Sequence, residues 1–126
     1  MVDEHLNIQL LTRLDLGDLA SAKDLFAEDV VWHYFNANLP EVQGDYVGLD
    51  GIRSFFKTIS EKTRGTFKVE PVSVTAVGDE LVVVHARDTL TFQDRSVALD
   101  VVVVWRFAGG RIAEVWDIVP GQPTEA

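Results

Sequence analysis

The chain has no cysteine among its 126 residues. It therefore has no disulfide bond, no thiolate nucleophile and no metal site built from cysteine ligands. The start of the chain also lacks the basic segment and the small-residue cleavage site of a secretory signal, because Asp3 and Glu4 stand there. Together these absences fit a reducing compartment, and we expect a cytoplasmic location.

Long apolar runs and an excess of basic residues are also missing. The longest apolar run, Val101 to Trp105, has the length of a strand, whereas a membrane-spanning helix needs about 20 apolar residues. Eleven Lys and Arg residues against 20 Asp and Glu residues give a net charge of −9. This charge opposes binding to nucleic acid, because affinity for phosphates depends on Lys and Arg. We therefore expect neither nucleic acid nor a membrane as a partner.

The remaining composition is that of one globular domain. The length lies near the common size of a single domain, about 100–150 residues. A hydrophobic fraction of 47% with 25% charged residues is ordinary for such a domain. We expect one domain over residues 1–120 and a C-terminal tail over residues 121–126, which follow Pro120.

Apolar residues at helical spacing predict three helices in the first half of the chain. The first is expected over residues 3–16 and the second over residues 18–27, with a corner at Gly17-Asp18 between them. The third is expected over residues 49–62. Between the last two helices, residues 30–35 predict a strand, and residues 36–48 predict a long loop. Loops of this length are often functional.

From residue 66 onward the apolar period changes from 3.6 to 2, which predicts an antiparallel meander. Short turns at Gly78-Asp79, Asp94-Arg95 and Gly109-Gly110 join antiparallel neighbours. Pro71 cannot donate to a strand ladder, so the first of these strands is expected at an edge or a bulge. The sequence thus predicts an α+β domain with helices on one face of the sheet. The four strands are predicted over residues 66–77, 81–93, 96–107 and 112–119.

Both faces of the last two strands are too apolar to face water. One face carries Asp117 among apolar neighbours, which are Val101, Val103, Trp105, Val115 and Val119. The other face carries Val102, Val104, Arg106, Glu114, Trp116 and Ile118. We expect one face to cover the helices and the other to bind a second copy of the chain, giving a homodimer.

Five segments, taken in order, point to a known family. They are LGDL at 16–19, LFAEDVVWH at 25–33, GLDGIRSFF at 48–56, GRI at 110–112 and EVWD at 114–117. Together they resemble the SnoaL-like branch of the nuclear transport factor 2-like superfamily. The resemblance covers nearly the whole chain and implies a cone, in which a curved mixed β-sheet wraps around the three helices. It also implies an apolar pocket at one end, faced by Val103, Trp105, Val115 and Asp117, and often a dimer through the sheet.

Comparison with the ketosteroid isomerases of that superfamily argues against their activity. The position of their catalytic base is occupied by Tyr34, that of their helical tyrosine by Leu10 and that of their protonated acid by Val103. All three catalytic groups are therefore absent from this chain.

Two other groups of the superfamily match better. The acid–base aspartate of SnoaL-like polyketide cyclases matches Asp117. In the limonene epoxide hydrolases, a Tyr-x-Asn pair matches Tyr34 and Asn36, and two aspartates match Asp88 and Asp117. The arginine that bridges those aspartates is replaced by Ala86, and the neighbouring arginine of this chain is expected to face the opposite way.

These matches single out Asp117, Asp88 and Tyr34 as candidate catalytic residues. Burial on an apolar face raises the pKa of an aspartate, and two carboxyl groups that share a cavity tend to hold one proton. Our hypothesis is that Asp117 is the base, that Asp88 modulates it and that Tyr34 orients substrate or water. The alternative for Asp117 is a hydrogen-bonded structural carboxylate. Candidate substrate-binding residues are Asn36, Trp32, His33, Val103, Trp105 and Val115.

The histidines give no indication of a metal site. His5, His33 and His85 lack metal-ligand spacing, and we expect no metal and no cofactor. Alternation places His33 on the face opposite Tyr34, which favours a structural histidine over a proton shuttle. The sequence therefore favours cofactor-free acid–base catalysis, of the isomerase, cyclase, lyase or epoxide hydrolase type, on a small apolar oxygenated substrate. The alternative is a non-catalytic ligand-binding or structural module of the same fold.

Overall fold

A computed structural model describes residues 6–15 and 18–125. The helices are α1 (Leu6–Thr12), a 3-10 helix (Leu19–Leu25) and α2 (Gly48–Lys62). The strands are β1 (Phe26–Asn36), β2 (Gly44–Val47), β3 (Lys68–Val77), β4 (Leu81–Phe92), β5 (Arg95–Ala108), β6 (Arg111–Val119) and β7 (Thr124–Glu125). Among these elements, no helix is long and apolar enough to cross a bilayer.

The strands form one curved, unclosed sheet in the order β2-β1-β6-β5-β4-β3, with β7 paired to β5. The pair β1–β6 is parallel, and the other pairs are antiparallel. The predicted α+β class, with a mixed curved sheet, an antiparallel meander and three helices, is confirmed. The parallel pair matters for the site because it brings two distant parts of the chain side by side.

A proline and a pair of glycines have the structural effects that the sequence predicts for them. The strand that contains Pro71 is an edge strand, and its register shifts between Pro71 and Ser73. Gly109 and Gly110 have φ angles of 59° and 78°, which is the left-handed conformation that a two-residue hairpin turn requires. This turn sets the pairs Ala108–Arg111 and Phe107–Ile112, and an irregularity between Arg106 and Phe107 then shifts the register so that Val103 pairs with Asp117.

The first 60 residues depart from the predicted elements in three places. The described part of the first helix ends at Thr12, and the predicted residues 3–5 and 16 lie outside the described residues. The second helix is a 3-10 helix that ends at Leu25, because Phe26 already pairs with Ile112 of β6. The predicted loop contains β2, which pairs with β1 from Val31 to Tyr34.

The predicted tail also contains regular structure, because β7 pairs with Val97 and Ala98 of β5. These differences share one cause. Pairing across the sheet decides the conformation of short segments whose own sequence gives only a weak preference. The domain bounds 1–120 and 121–126 stay predictions.

An aromatic cluster joins α2 to the inner face of the sheet. Phe55 is 2% exposed, and its ring lies 4.7 Å from that of Tyr34 and 4.9 Å from that of Tyr46, centroid to centroid. Trp32 lies 6.0 Å from Phe55 and 5.2 Å from Phe56. Since α2 carries no side-chain cap at its N-terminus, packing of this kind is what holds it over the sheet.

Replacement of Phe55 by alanine should lower the free energy of unfolding by about 3–5 kcal/mol, because it leaves a cavity in this cluster. The matched control is Lys57→Ala, on the exposed side of the same helix, with an expected change within about 0.5 kcal/mol. Urea denaturation followed by circular dichroism measures both. Equal losses in the two variants would contradict the assigned role of Phe55.

Candidate active site

The strands β1, β6 and β4 place the candidate catalytic side chains on the inner face of the sheet. In the parallel register of β1 and β6, Tyr34 lies directly opposite Asp117. Asp88 comes from β4, with β5 between it and β6. Tyr34, Asp88 and Asp117 are 7%, 6% and 8% exposed, and all three line the same cavity. The structure thus brings together the three residues that the sequence singled out.

Two adjoining cavities meet at the carboxyl groups. The first has a volume of about 140 Å³ and lies beside the C-terminal half of α2. The second has a volume of about 270 Å³ and is lined on one side by Ile8 and Leu11 of α1. The residues common to both linings are Phe56, Phe67, Asp88, Val101 and Asp117.

Burial changes the acid–base properties of the two aspartates. It raises the pKa of Asp88 to about 7 and that of Asp117 to about 7, the latter with a further contribution from the negative charge of Asp88. The indole of Trp32 acts in the opposite direction on Asp117, although its Nε1 forms no hydrogen bond of full geometry within the described residues. The pair therefore retains a proton near neutral pH, as two carboxyl groups in one apolar site are expected to do.

Tyr34 is held with its hydroxyl group protonated. Burial raises its pKa above the ordinary value, and the charges of Asp117 and Asp88 raise it further. The hydroxyl oxygen accepts a hydrogen bond of 2.8 Å from Nδ2 of Asn36. Asn36 is itself fixed, because its Oδ1 accepts from the backbone N–H of Asn38. Tyr34 is thus positioned to donate its O–H toward the cavity.

The other predicted binding residues do not all line the same cavity. Asn36 lines the first cavity, and Trp32, Val103 and Trp105 line the second. The rings of Trp32 and Trp105 pack edge to face at 5.3 Å. Val115 is fully buried beneath them and lines neither cavity.

His33 lies on the outer face of the sheet, away from both cavities. Its Nδ1 contacts Asp45 at 2.6 Å and its Nε2 contacts Glu114 at 2.5 Å, and its ring stacks on Trp116. Burial lowers the pKa of His33, but the two carboxylates outweigh this effect and raise it overall. These contacts tie β1 to β2 and β6, as expected for a structural histidine.

Several lining residues were not recognised in the sequence. The helical stripe of α2 predicts a core face, and that same stripe forms a cavity wall through Phe55, Phe56 and Ile59. Lys62 lines the first cavity and pairs with Glu41 at 3.3 Å. A helical period shows which side faces inward, but it does not distinguish a filled core from a cavity wall. In the described ranges, no group of three or more acidic or histidine side chains could hold a metal ion.

A family model described as a SnoaL-like domain matches residues 8–115. No curated protein sequence matches the chain.

Solved structures give the same fold. Bal32a, from a soil-derived mobile gene cassette, is 24% identical with a TM-score of 0.79, covering 89% of this chain and 87% of Bal32a. A protein described as a SnoaL-like polyketide cyclase from Jannaschia sp. CCS1 is 19% identical with a TM-score of 0.75, covering 93% of this chain and 87% of that one. TerC, co-crystallised with polyporic acid, is 20% identical with a TM-score of 0.73, covering 90% and 91%. At these identities the likeness establishes the fold alone.

The raised pKa values predict how stability changes with pH. A carboxyl group with a folded-state pKa of about 7 stabilises the fold below its unfolded pKa of about 3.9, and this contribution is lost as the pH rises through about 7. Asp117→Asn removes the buried charge. The free energy of unfolding of the variant, relative to that of the original protein, should therefore rise by about 2–4 kcal/mol as the pH is raised from 4 to 8.

Urea denaturation at pH 4, 6 and 8 measures this difference. Asp94→Asn is the matched control, because the side chain of Asp94 is 84% exposed and its positive φ suits asparagine. The control should follow the pH dependence of the original protein. An Asp117→Asn variant that does the same would show that Asp117 titrates normally.

Proposed function

The chain belongs to the SnoaL-like domain family, and from that premise we propose that it catalyses an acid–base reaction on a small, largely apolar, oxygen-bearing molecule. The observation that carries this proposal is the convergence of Asp88, Asp117 and Tyr34 on apolar cavities. Buried titratable groups with shifted pKa values that face a cavity are typical of catalytic sites.

The proposed mechanism uses one proton shared between two carboxyl groups. With both pKa values at about 7, one group is available as a base and the other as an acid at neutral pH. Asp117 accepts a proton from the substrate. Asp88 holds the shared proton and sets the basicity of Asp117. Tyr34 donates its O–H to a substrate oxygen or a water molecule and so orients it.

The position of Ala86 favours proton abstraction next to a carbonyl group over epoxide opening. Ala86 is buried and lines the second cavity, whereas Arg87 points outward and contacts Asp100 at 3.8 Å. No cation from this segment lies between the carboxyl groups, and the water-activating network of the epoxide hydrolases needs one. An isomerase, cyclase or lyase reaction fits the described residues better. The descriptions of two structural neighbours, one as a SnoaL-like polyketide cyclase and the other as TerC co-crystallised with polyporic acid, support an oxygenated apolar substrate.

The reaction class can be tested before the natural substrate is known. 2-Tetralone, an apolar ketone with acidic protons beside its carbonyl group, exchanges those protons in D₂O at a rate that NMR measures. The protein should accelerate this exchange about 10²-fold or more at pH 7. Asp117→Asn should abolish the acceleration, and Asp88→Asn should reduce it and shift its pH profile. The exposed Asp94→Asn control should retain it.

Unchanged exchange in the Asp117→Asn variant would remove Asp117 from the mechanism. Binding of the ketone without faster exchange would favour the alternative, a ligand-binding module without turnover. The apolar walls of both cavities are compatible with that alternative, so the exchange rate is the quantity that separates the two functions.

We further propose that the outer face of the sheet binds a second copy of the chain. Val102 pairs with Ile118 and Val104 with Trp116, and all four side chains are partly exposed. Phe35, which lies beside Ile118, is 48% exposed. An apolar patch of this kind is typical of an interface between subunits.

Val104→Glu should convert the dimer to a monomer, because it places a charge at the centre of this patch. Leu6→Glu is the control, since Leu6 is 63% exposed and belongs to α1, which lines the cavity on the inner side of the sheet. Sedimentation velocity distinguishes the two masses. The interface is wrong if the Val104→Glu variant sediments like the original protein, or if the original protein is already a monomer.

A further inference from the structure

Within the described residues, the two cavities adjoin at the five residues that line both, and these include both carboxyl groups. From this arrangement, which rests on the proposed function, we infer that the ligand has two apolar lobes joined by a central oxygen function. One lobe occupies the first cavity and the other occupies the second. The oxygen function lies between them, at Asp88 and Asp117.

The size of the cavities supports a ligand that uses both. Their volumes are about 140 and 270 Å³, and each lies below the roughly 300–1,000 Å³ that is usual for a ligand pocket. A ligand of ordinary size that contacts the carboxyl groups must therefore extend to both sides of them. Phe56, Phe67 and Val101, which belong to both linings, would contact the middle of such a molecule.

The linings of both cavities are mainly apolar. The walls that belong to the second cavity alone are apolar side chains from α1 and the residues after it and from β1, β3, β4 and β5, apart from Thr12 and the indole nitrogen of Trp32. The first cavity also contacts several polar side chains, which are Tyr34, Asn36, Asn38, Lys62 and Thr63, but most of its wall is apolar. Both lobes of the ligand are therefore largely hydrocarbon groups.

An unpaired polar atom at the junction indicates the central oxygen function. Oδ1 of Asp88 is buried and has no hydrogen-bond partner within the described residues. Buried polar groups of folded proteins are nearly always paired. The ligand can supply the missing partner in two ways. A carbonyl oxygen accepts from Asp88 when that carboxyl group is protonated, and a hydroxyl group donates to Asp88 when it is ionised.

Two matched probes test the number of lobes. 4-Hydroxybenzophenone has two rings joined by a carbonyl group, and 4-hydroxyacetophenone has one ring.

Two variants each fill one cavity. Val84→Phe fills the second cavity and Leu90→Phe fills the first. Both residues are half-buried on the inner side of β4. Thr89→Phe is the control, because Thr89 lies on the outer face of β4 and pairs with Ala98, away from the proposed dimer patch.

The two-ring probe should lose affinity about tenfold or more in each filled variant, measured by titration calorimetry, and should keep it in the control. The one-ring probe should lose affinity in one filled variant at most. The two-lobed ligand is contradicted if either filled variant binds the two-ring probe normally. It is also contradicted if the original protein binds the one-ring probe as tightly as the two-ring probe, or binds neither.

NMR on the unmodified protein tests the inference even if one of the filled variants does not fold. Nuclear Overhauser effects should connect one ring of the two-ring probe to the methyl groups of Leu90, and the other ring to those of Leu11, which lines the second cavity. Contacts to only one of these residues would overturn the inference.

The proton-exchange assay reports separately on catalysis. Two-lobed binding without exchange would therefore contradict the proposed function alone, and exchange with one-lobed binding would contradict this inference alone.

Discussion

The burial of two carboxyl groups on an apolar sheet face is the constraint on which the rest of this structure depends. Asp88 and Asp117 are less than 10% exposed, and ionised groups in such surroundings are unfavourable unless they are paired or protonated. Neither group forms an ion pair within the described residues, and burial raises the pKa of both to about 7, so protonation near neutral pH reduces the buried charge. The same interaction that weakens the fold at high pH gives the site an acid and a base at neutral pH.

The mixed sheet supplies the geometry that this pair requires. Because β1 and β6 run parallel, Tyr34 lies beside Asp117, although 82 residues separate them in the chain. Alternation then places His33 on the other side of β1, where Asp45 and Glu114 hold it. One strand thus carries a candidate catalytic residue on its inner face and a structural link to both neighbouring strands on its outer face.

Regular periods in the sequence predicted a large part of this arrangement. The stripe of α2 and the alternation from residue 66 onward predicted one long helix and four strands, and Val115 and Val119 predicted which way Asp117 points. The strands β2 and β7 were missed, because they depend on pairing with strands far away in the chain. The second helix was predicted, but as a longer helix than the 3-10 helix Leu19–Leu25 that the structure has. The division into two cavities was also missed, since Ile8, Leu11 and Phe56 have the spacing of ordinary core residues. The homodimer and the cytoplasmic location stay predictions.

The central claim is that Asp88 and Asp117 share a proton near neutral pH, and carboxyl carbon NMR tests it most directly. In protein labelled with ¹³C at aspartate, the side-chain resonances of both residues should titrate with midpoints near the values of about 7. A change in the protonation of one residue should also shift the side-chain resonance of the other, as expected for coupled groups. Midpoints near the ordinary aspartate value of about 3.9 for both residues, with no coupling between them, would contradict the account.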